Sequence, residues 1–451
     1  ALVSLNSDNG AIEALVGGFS FEQSKFNRAT QSLVQVGSSI KPFIYAATLE
    51  KGLTLSSVLQ DTPLVLKKPG QKEWRPKNSP DRYDGPLRLR VGLGQSKNMI
   101  AIRSMQMAGV EFVADFLQRF GFKRDQYFAS EALALGAASF TPLEMARGYA
   151  VFDNGGYLVD PYIINKILDN TGKEIFVANP KVACPTCDSI PVIYGETEKL
   201  DGFKNTDLTM ADGLKRSDDS TNGEEVDQGE TVPDILELRP RVDSVKEENL
   251  NFMAQAKTNN SQVEYAPRVI SGELAFLIRS ALNTAIYGEQ GLGWKGTSWR
   301  LAQDIKRNDI GGKTGTTNSS KVAWYAGFGA NIVTTTYVGF DDNKLVLGRG
   351  EAGAKTAMPA WSAYMKQALS DKPERKLPLP PKIVEKTIDT NSGLLAETGG
   401  RTEYFIDGTE PKRSSLSELQ ERGYYVPPQL QQQLNGTGNS PMPATQAEEL
   451  F

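Results

Sequence analysis

The stretch ALVSLNSDNGAIEALVGG, residues 1–18, sets two apolar runs on either side of Asn9-Gly10. An Asn-Gly pair accepts the positive φ of a tight turn, so the runs read as two antiparallel strands. Far along the chain, VAWYAGFGANIVTTTYVGFDD gives two more β-rich runs around Gly329-Ala330-Asn331, a second hairpin. Residues 383–396, IVEKTIDTNSGLLA, read as a third. Helical periods fill the space between the first two hairpins. Strands from the two ends of such a domain must meet in one antiparallel sheet with helices packed on it, which is α+β layering.

The helical segments carry their own punctuation. Ile40, Phe43, Ile44 and Ala47 follow helical spacing, and Lys51-Gly52 supplies the stop. Pro42 falls in the first turn, where a missing N–H costs nothing. Two further patterns, 99–108 and 110–120, are divided by Gly109. Thr141 and Glu144 have capping-box spacing, with Pro142 between them and Asn154-Gly155-Gly156 at the end. Periodicity resumes at ELAFLIRSALNTAIYG.

Composition excludes several functions. Acids number 54 and Lys plus Arg 50, a balance that offers no basic surface for nucleic acid. No stretch of 18 apolar residues is present to cross a bilayer. Histidine is absent and there are only two cysteines, Cys184 and Cys187, so no metal site and no cofactor is expected. The cysteines read as a local disulfide or two free thiols in a loop. Residues 185–262 are dense in acids, Ser, Thr, Asn and Gly, and read as a polar, partly mobile insertion. Residues 427–451 are rich in Gln, Pro, Ser and Gly and read as a disordered tail. The division expected is therefore 1–184 with 263–370 as one catalytic domain, 185–262 inserted, 371–426 as an extension with a hairpin, and the tail. A chain that opens directly in a strand also reads as part of something longer.

Three short motifs carry chemistry. Ser38 stands three residues before Lys41 at the start of a helix, so the two side chains share a face. Ser96-Lys97-Asn98 precedes the next helix but one. Lys313-Thr314-Gly315 follows Gly311-Gly312 and leads into the second hairpin. A phosphate loop is the competing reading of the last motif, but G-x-x-x-x-G-K-[ST] spacing is missing. Without histidine, an amine has to take the proton of any catalytic serine. An ordinary lysine is charged at neutral pH, but burial and a second cation both lower its pKa. Neutral Lys41 could then activate Ser38.

Ser-x-x-Lys, Ser-x-Asn and Lys-Thr-Gly, in that order, resemble the signature set of penicillin-binding proteins and serine β-lactamases. Longer stretches, NRATQSLVQVGSSIKPFIYAATLEKG, LGQSKNMIAIRSM, GGKTGTTNSS and TEYFIDGTEP, are similar to the transpeptidase region of class A penicillin-binding proteins. KVACPTCDSIPVIYGET and the closing AEELF resemble the Gram-negative 1a branch of that family. The resemblance covers nearly the whole chain and is weakest over 200–262.

The resemblance implies the penicillin-binding transpeptidase, or serine β-lactamase-like, fold: an antiparallel sheet flanked by helices. It implies a D,D-transpeptidase that crosslinks peptidoglycan stem peptides through a serine acyl-enzyme, releases D-alanine, and is blocked by β-lactams. Ser38 is then the nucleophile and Lys41 its base. Lys313 is the second cation and Ser96 the proton relay. Asn98 holds Lys41 and the donor's amide. Thr314, Gly315 and Thr316 bind the donor end, and the backbone N–H groups of Ser38 and Thr316 form the oxyanion hole. The expected partners are the D-Ala-D-Ala donor and the amine acceptor, β-lactam antibiotics, an outer-membrane lipoprotein activator and cell-wall synthesis proteins. The expected location is the periplasm, on an inner-membrane anchor that this sequence lacks, as it lacks the family's glycosyltransferase domain. One departure is Val322, where the family usually has an acid before Ala-Trp. A serine β-lactamase is the alternative, disfavoured because no Glu-x-x-x-Asn loop lies between the second and third motifs. A non-catalytic β-lactam sensor is the other, disfavoured because all three motifs are intact.

Overall fold

The computed structural model describes residues 1–67, 70, 72–184, 187, 192, 263–317, 320–342, 344–396 and 400–411. Its main sheet joins the two ends of the domain, as the hairpin order requires. Strands β1 (Leu2–Asn6) and β2 (Ile12–Val16) form the first hairpin; Gly10 at its turn has φ 79°. The short pairs β3 (Val34–Gln35) with β6 (Ser139–Phe140), β4 (Val58–Asp61) with β5 (Gly85–Arg88), and β7 (Lys166–Leu168) with β8 (Glu174–Val177) lie outside the main sheet. Strands β9 (Gly311–Thr316), β10 (Val322–Gly329) and β11 (Ile332–Gly339) complete it, in the order β2-β1-β11-β10-β9. Leu2 lies opposite Thr336 and Asn6 opposite Ile332, so the first strand is zipped to one of the last. The Lys-Thr-Gly strand, β9, is left at the edge.

Both faces of the sheet are covered. Every residue of β10 is buried. On β11, Thr335 Oγ1 donates to Pro142 O of α5 (Pro142–Asp153) at 2.9 Å, whereas Thr334 Oγ1 approaches Met365 Sδ at 3.1 Å. Adjacent strand residues point to opposite faces. The helix carrying Met365, Met358–Ala368, therefore packs on the face opposite α5.

Helix α1 (Lys41–Glu50) is at the centre of the helical layer, with only Glu50 outside the buried set. Phe43 sits 4.9 to 5.3 Å, centroid to centroid, from Phe120, Phe122, Tyr149 and Phe152. Helices α2 (Leu89–Gly94), α3 (Asn98–Ala108) and α4 (Val110–Leu117) precede α5, and α6 (Gly272–Tyr287) lies beyond the insertion. Thr141 caps α5 by accepting from Glu144 N at 3.1 Å, while Glu144 Oε2 accepts from Thr141 N at 2.7 Å. Among the described residues no helix is long and apolar enough to cross a membrane.

The third hairpin turns inside the expected stretch but finds its main partner strand beyond it. Strand β12 (Ile383–Ile388) pairs along its length with β13 (Arg401–Ile406), and within 383–396 the chain turns back only as far as an antiparallel bridge between Ile388 and Leu395. Asp389 shapes that turn: its Oδ1 accepts from Asn391 N, Ser392 N and Ser392 Oγ. Cys184 and Cys187 are bonded to each other. Apart from residues 187 and 192, the expected insertion 185–262 lies outside the described residues. So do 412–426 of the extension and the whole expected tail 427–451.

Candidate active site

Ser38 lies in a 3-10 turn, Gly37–Ile40, that runs directly into α1. Gly37 has φ 52°, and a Cβ there would fall 2.5 Å from the carbonyl oxygen of Thr316. Only glycine allows this approach, which seats the serine turn against the end of β9. Gly315 plays the reciprocal part: a Cβ on it would lie 2.2 Å from Ser39 Oγ and 2.7 Å from Val36 O. The two glycines let the first and third motifs touch. Ser38 is half-buried, whereas Ser39 is fully buried and its hydroxyl has no hydrogen-bond partner.

Lys41 is the first residue of α1 and is completely buried. Its Nζ donates to Ser96 O at 2.6 Å, to Asn98 Oδ1 at 2.7 Å and to Ser96 Oγ at 3.3 Å. Lys313, also completely buried, donates to the same Ser96 Oγ at 2.8 Å and to Thr314 O at 2.9 Å. Four of the five predicted side chains thus form one network, with Ser96 Oγ at its centre. Ser38 stands at its margin, one turn of chain from Lys41; the structure shows no hydrogen bond between the two.

The electrostatics follow from that burial. Desolvation, then the charge of Lys313, hold Lys41 well below the ordinary lysine range, against the pull of Asp61. Burial alone brings Lys313 down to about 7. The second cation is therefore itself close to titration, and a carboxylate bound beside it would push it up.

Ser96 owes its position to an unusual backbone. It has φ 60°, uncommon for a residue with a side chain and of order 1–3 kcal/mol in cost. Its neighbours hold it there. Lys97 Nζ lies 2.9 Å from Asp61 Oδ2 and also pairs with Asp84. Asn78 Nδ2 donates to Asp61 Oδ1 at 2.6 Å, and Asn78 Oδ1 accepts from Asn98 N at 2.8 Å. Asp61 is fully buried and Asn78 nearly so.

On β9, Thr314 Oγ1 donates to Thr297 Oγ1 at 3.0 Å. Thr316 Oγ1 accepts from Gly353 N at 3.0 Å, which leaves its own proton free to donate. Val322 is buried in the main core, and its N donates to Thr317 Oγ1 at 2.9 Å. An acid at this position would have to be accommodated inside that core.

Sequence reasoning missed Asp61, Asn78, Lys97 and Thr297. Lys97 lay inside a quoted motif, but nothing in a polar triplet marks its middle residue as buried. Asn78 sits in a stretch rich in turn residues, and no spacing rule links it to a helix start twenty residues on. For Thr297 there was no signal.

Comparison with known proteins bears on this arrangement. Residues 1–188 match the penicillin binding protein transpeptidase domain, and residues 379–417 match the penicillin-binding protein 1A C-terminal domain. The chain is 77% identical over 453 aligned residues to penicillin-binding protein 1A of Haemophilus influenzae, covering all of this chain and 53% of that protein. It is 50% identical over 434 residues to penicillin-binding protein 1A of Escherichia coli, covering 93% of this chain and 48% of that one. The crystal structure of the Haemophilus influenzae protein superposes with a TM-score of 0.77 at 72% identity, over 92% of this chain and 54% of that chain. The chain spans about half the length of the curated relatives it matches. The α+β fold, the two matched domains and the identity along the whole chain agree: the chain belongs to the transpeptidase family of the penicillin-binding proteins.

Proposed function

We propose that the chain is a D,D-transpeptidase that crosslinks peptidoglycan stem peptides through an acyl-enzyme on Ser38. The observation that carries this is the pair of buried lysines meeting on one serine hydroxyl, Lys41 at 3.3 Å and Lys313 at 2.8 Å from Ser96 Oγ. Such a network can pass a proton from Ser38 towards a leaving amine without histidine.

Neutral Lys41 removes the Ser38 proton as Oγ attacks the penultimate D-alanine carbonyl. The backbone N–H groups of Ser38 and Thr316 receive the oxyanion; one such donor is worth about 3 kcal/mol. Ser96 hands a proton to the departing D-alanine, and Asn98 orients Lys41 and the donor's amide. Thr314, Gly315 and Thr316 hold the donor end, with Lys313 facing its carboxylate. An amine on a neighbouring stem then takes the acyl group. A β-lactam enters the same way and stays attached.

The domain reading goes with this. Residues 1–184 and 263–370 form the transpeptidase unit, 185–262 are inserted, 371–426 are an extension and 427–451 a tail. The site faces the periplasm at the inner membrane, within reach of cell-wall synthesis proteins and an outer-membrane lipoprotein activator.

Intact-mass analysis with penicillin, followed over hours, tests the function. A lasting adduct mapped to Ser38 and lost in Ser38→Ala is expected. An adduct that vanishes within minutes would make the protein a serine β-lactamase instead, and no adduct would end the reading.

A further inference from the structure

Strand β13 carries a charge where a core residue belongs. Its side chains alternate between two faces, and Glu403 and Phe405 point to the inner one, each 1% exposed. Phe405 is usual filling for such a face. A carboxylate is not, because stripping it of water is costly and an apolar residue would hold the hairpin as well. Adhesion does not need the charge either: Tyr404 already docks on α6, its ring edge-on to Phe276 at 5.1 Å.

Glu403 reaches the helix that ends at the second motif. Its two oxygens accept from Arg90 Nε at 2.8 Å and Arg90 Nη2 at 2.5 Å, a bidentate pair with a fixed orientation. Arg90 is buried as well, and its Nη1 donates to Ser280 Oγ at 3.1 Å and Thr284 Oγ1 at 2.8 Å on α6. Arg90 thus pins α2 between the hairpin and α6. Every residue of α2 is buried, and only Gln95 separates the helix from Ser96. Ser96 N donates to Leu93 O at 3.0 Å and Lys97 N to Gly92 O at 2.8 Å. The strained serine hangs from the end of α2 and moves as α2 moves.

A second tie converges on the same serine. Arg88, at the start of α2, donates to Glu289 at 3.0 and 2.6 Å and to Thr390 O, in the turn after β12, at 2.9 Å. Arg401 of β13 meets the same Glu289 at 3.0 Å. Gly393, in that turn, packs so closely that a Cβ on it would lie 1.9 Å from Ser56 O. Ser56 leads into β4, whose Asp61 anchors Lys97 and Asn78. The C-terminal hairpin therefore grips both segments from which the Ser96 loop is suspended.

Ser96 Oγ meets Lys41 at 3.3 Å and Lys313 at 2.8 Å, separations that a small shift of α2 would open. A misplacement of about 1 Å can cost about 100-fold in rate. We propose that the C-terminal hairpin is a working part of the acylation site, and that Glu403 is a positioning residue for Ser96, acting through Arg90 and α2. The inference rests on the transpeptidase reading, in which Ser96 relays the proton.

The test removes the ion pair without leaving a buried charge behind. Arg90→Met with Glu403→Leu fills the same space with apolar side chains, an exchange that often leaves stability unchanged or raised. Stopped-flow labelling of the whole chain by a fluorescent penicillin separates the dissociation constant of the first complex from the rate constant of acylation. The melting temperature should hold, the dissociation constant should stay within about twofold, and acylation should slow at least about fivefold. In a Ser96→Ala background the same exchange should slow acylation by less than about twofold, because no serine hydroxyl is left to misplace. A merely structural pair would cost the same factor in both backgrounds. Glu403→Asp keeps the charge but shortens the reach; it should slow acylation at least about threefold, and it carries the test if the double exchange does not fold. Smaller losses in folded protein, or a loss of twofold or more in the Ser96→Ala background, would overturn the positioning role alone. If penicillin leaves no adduct on the unaltered chain, the transpeptidase reading falls and this inference with it.

Discussion

Lys41 and Lys313, 272 residues apart in the chain, donate to the same oxygen, Ser96 Oγ. Two ammonium groups cannot comfortably be charged on one buried hydroxyl, because at effective interior dielectrics like charges a few ångströms apart repel by several kcal/mol. The site therefore favours one proton between them, and that asymmetry is what lets one lysine act as a base.

The pH dependence follows from it. Adduct formation needs Lys41 neutral, so its rate rises as pH climbs through the lowered Lys41 value. It also needs Lys313 charged, so its rate falls as pH passes about 7 in the free protein. The second-order rate constant with penicillin should trace a bell whose two limbs belong to the pair. In Lys313→Arg the alkaline limb should disappear, because a guanidinium does not titrate there. An alkaline limb that persists in that variant would remove Lys313 from the account.

Ser39 sits beside the nucleophile yet has a buried hydroxyl with no partner. An unsatisfied buried polar group costs about 1–3 kcal/mol. Ser39→Ala should therefore leave adduct formation within about twofold and hold or raise the melting temperature. Loss of labelling in a folded Ser39→Ala protein would show that the wrong serine had been chosen.

Gly315→Ala should be far more damaging. Its Cβ would press on Ser39 Oγ, on Val36 O and on Trp324 Cβ, at 2.2, 2.7 and 2.8 Å. Overpacking of this kind costs about 1–3 kcal/mol or more, and here it also pushes β9 from the serine turn. Adding Ser39→Ala should restore only part of the stability, because the backbone and Trp324 contacts remain. Calorimetry on the single and double variants reads both effects.

Lys97→Met should destabilise by about 3–5 kcal/mol, since it leaves Asp61 buried without its cation. It should also slow labelling of Ser38, because Asp61 and Asn78 tether the strained Ser96 loop. A denaturant melt unchanged from the unaltered protein would contradict this account of the loop.

Much of this architecture was legible in the residues. Asn9-Gly10 announced a hairpin because that turn chemistry is local, and Thr141 with Glu144 announced a helix start for the same reason. The three motifs were legible because each is contiguous. What stayed hidden depends on contacts between distant segments. Asn78 and Asp61 look like turn residues until the fold places them under Asn98. The turn at Asp389 lies inside 383–396 as read, but the longer partner strand of β12, Arg401–Ile406, lies beyond that stretch and was not foreseen. The burial of Lys313, which brings it near 7, follows from the strand and helices around it and from nothing within Lys-Thr-Gly.

The central claim is that Lys41 loses a proton while Lys313 only carries charge. Arginine keeps a charge and binds carboxylates but cannot give up its proton. The most direct test is the second-order rate of labelling by a fluorescent penicillin in Lys41→Arg and Lys313→Arg, with folding checked by thermal melt. Lys41→Arg should lose nearly all labelling, and Lys313→Arg should be weakened yet measurable. A folded Lys41→Arg protein that labels within about 10-fold of the unaltered chain, about 1.4 kcal/mol, would show that Lys41 is not the base.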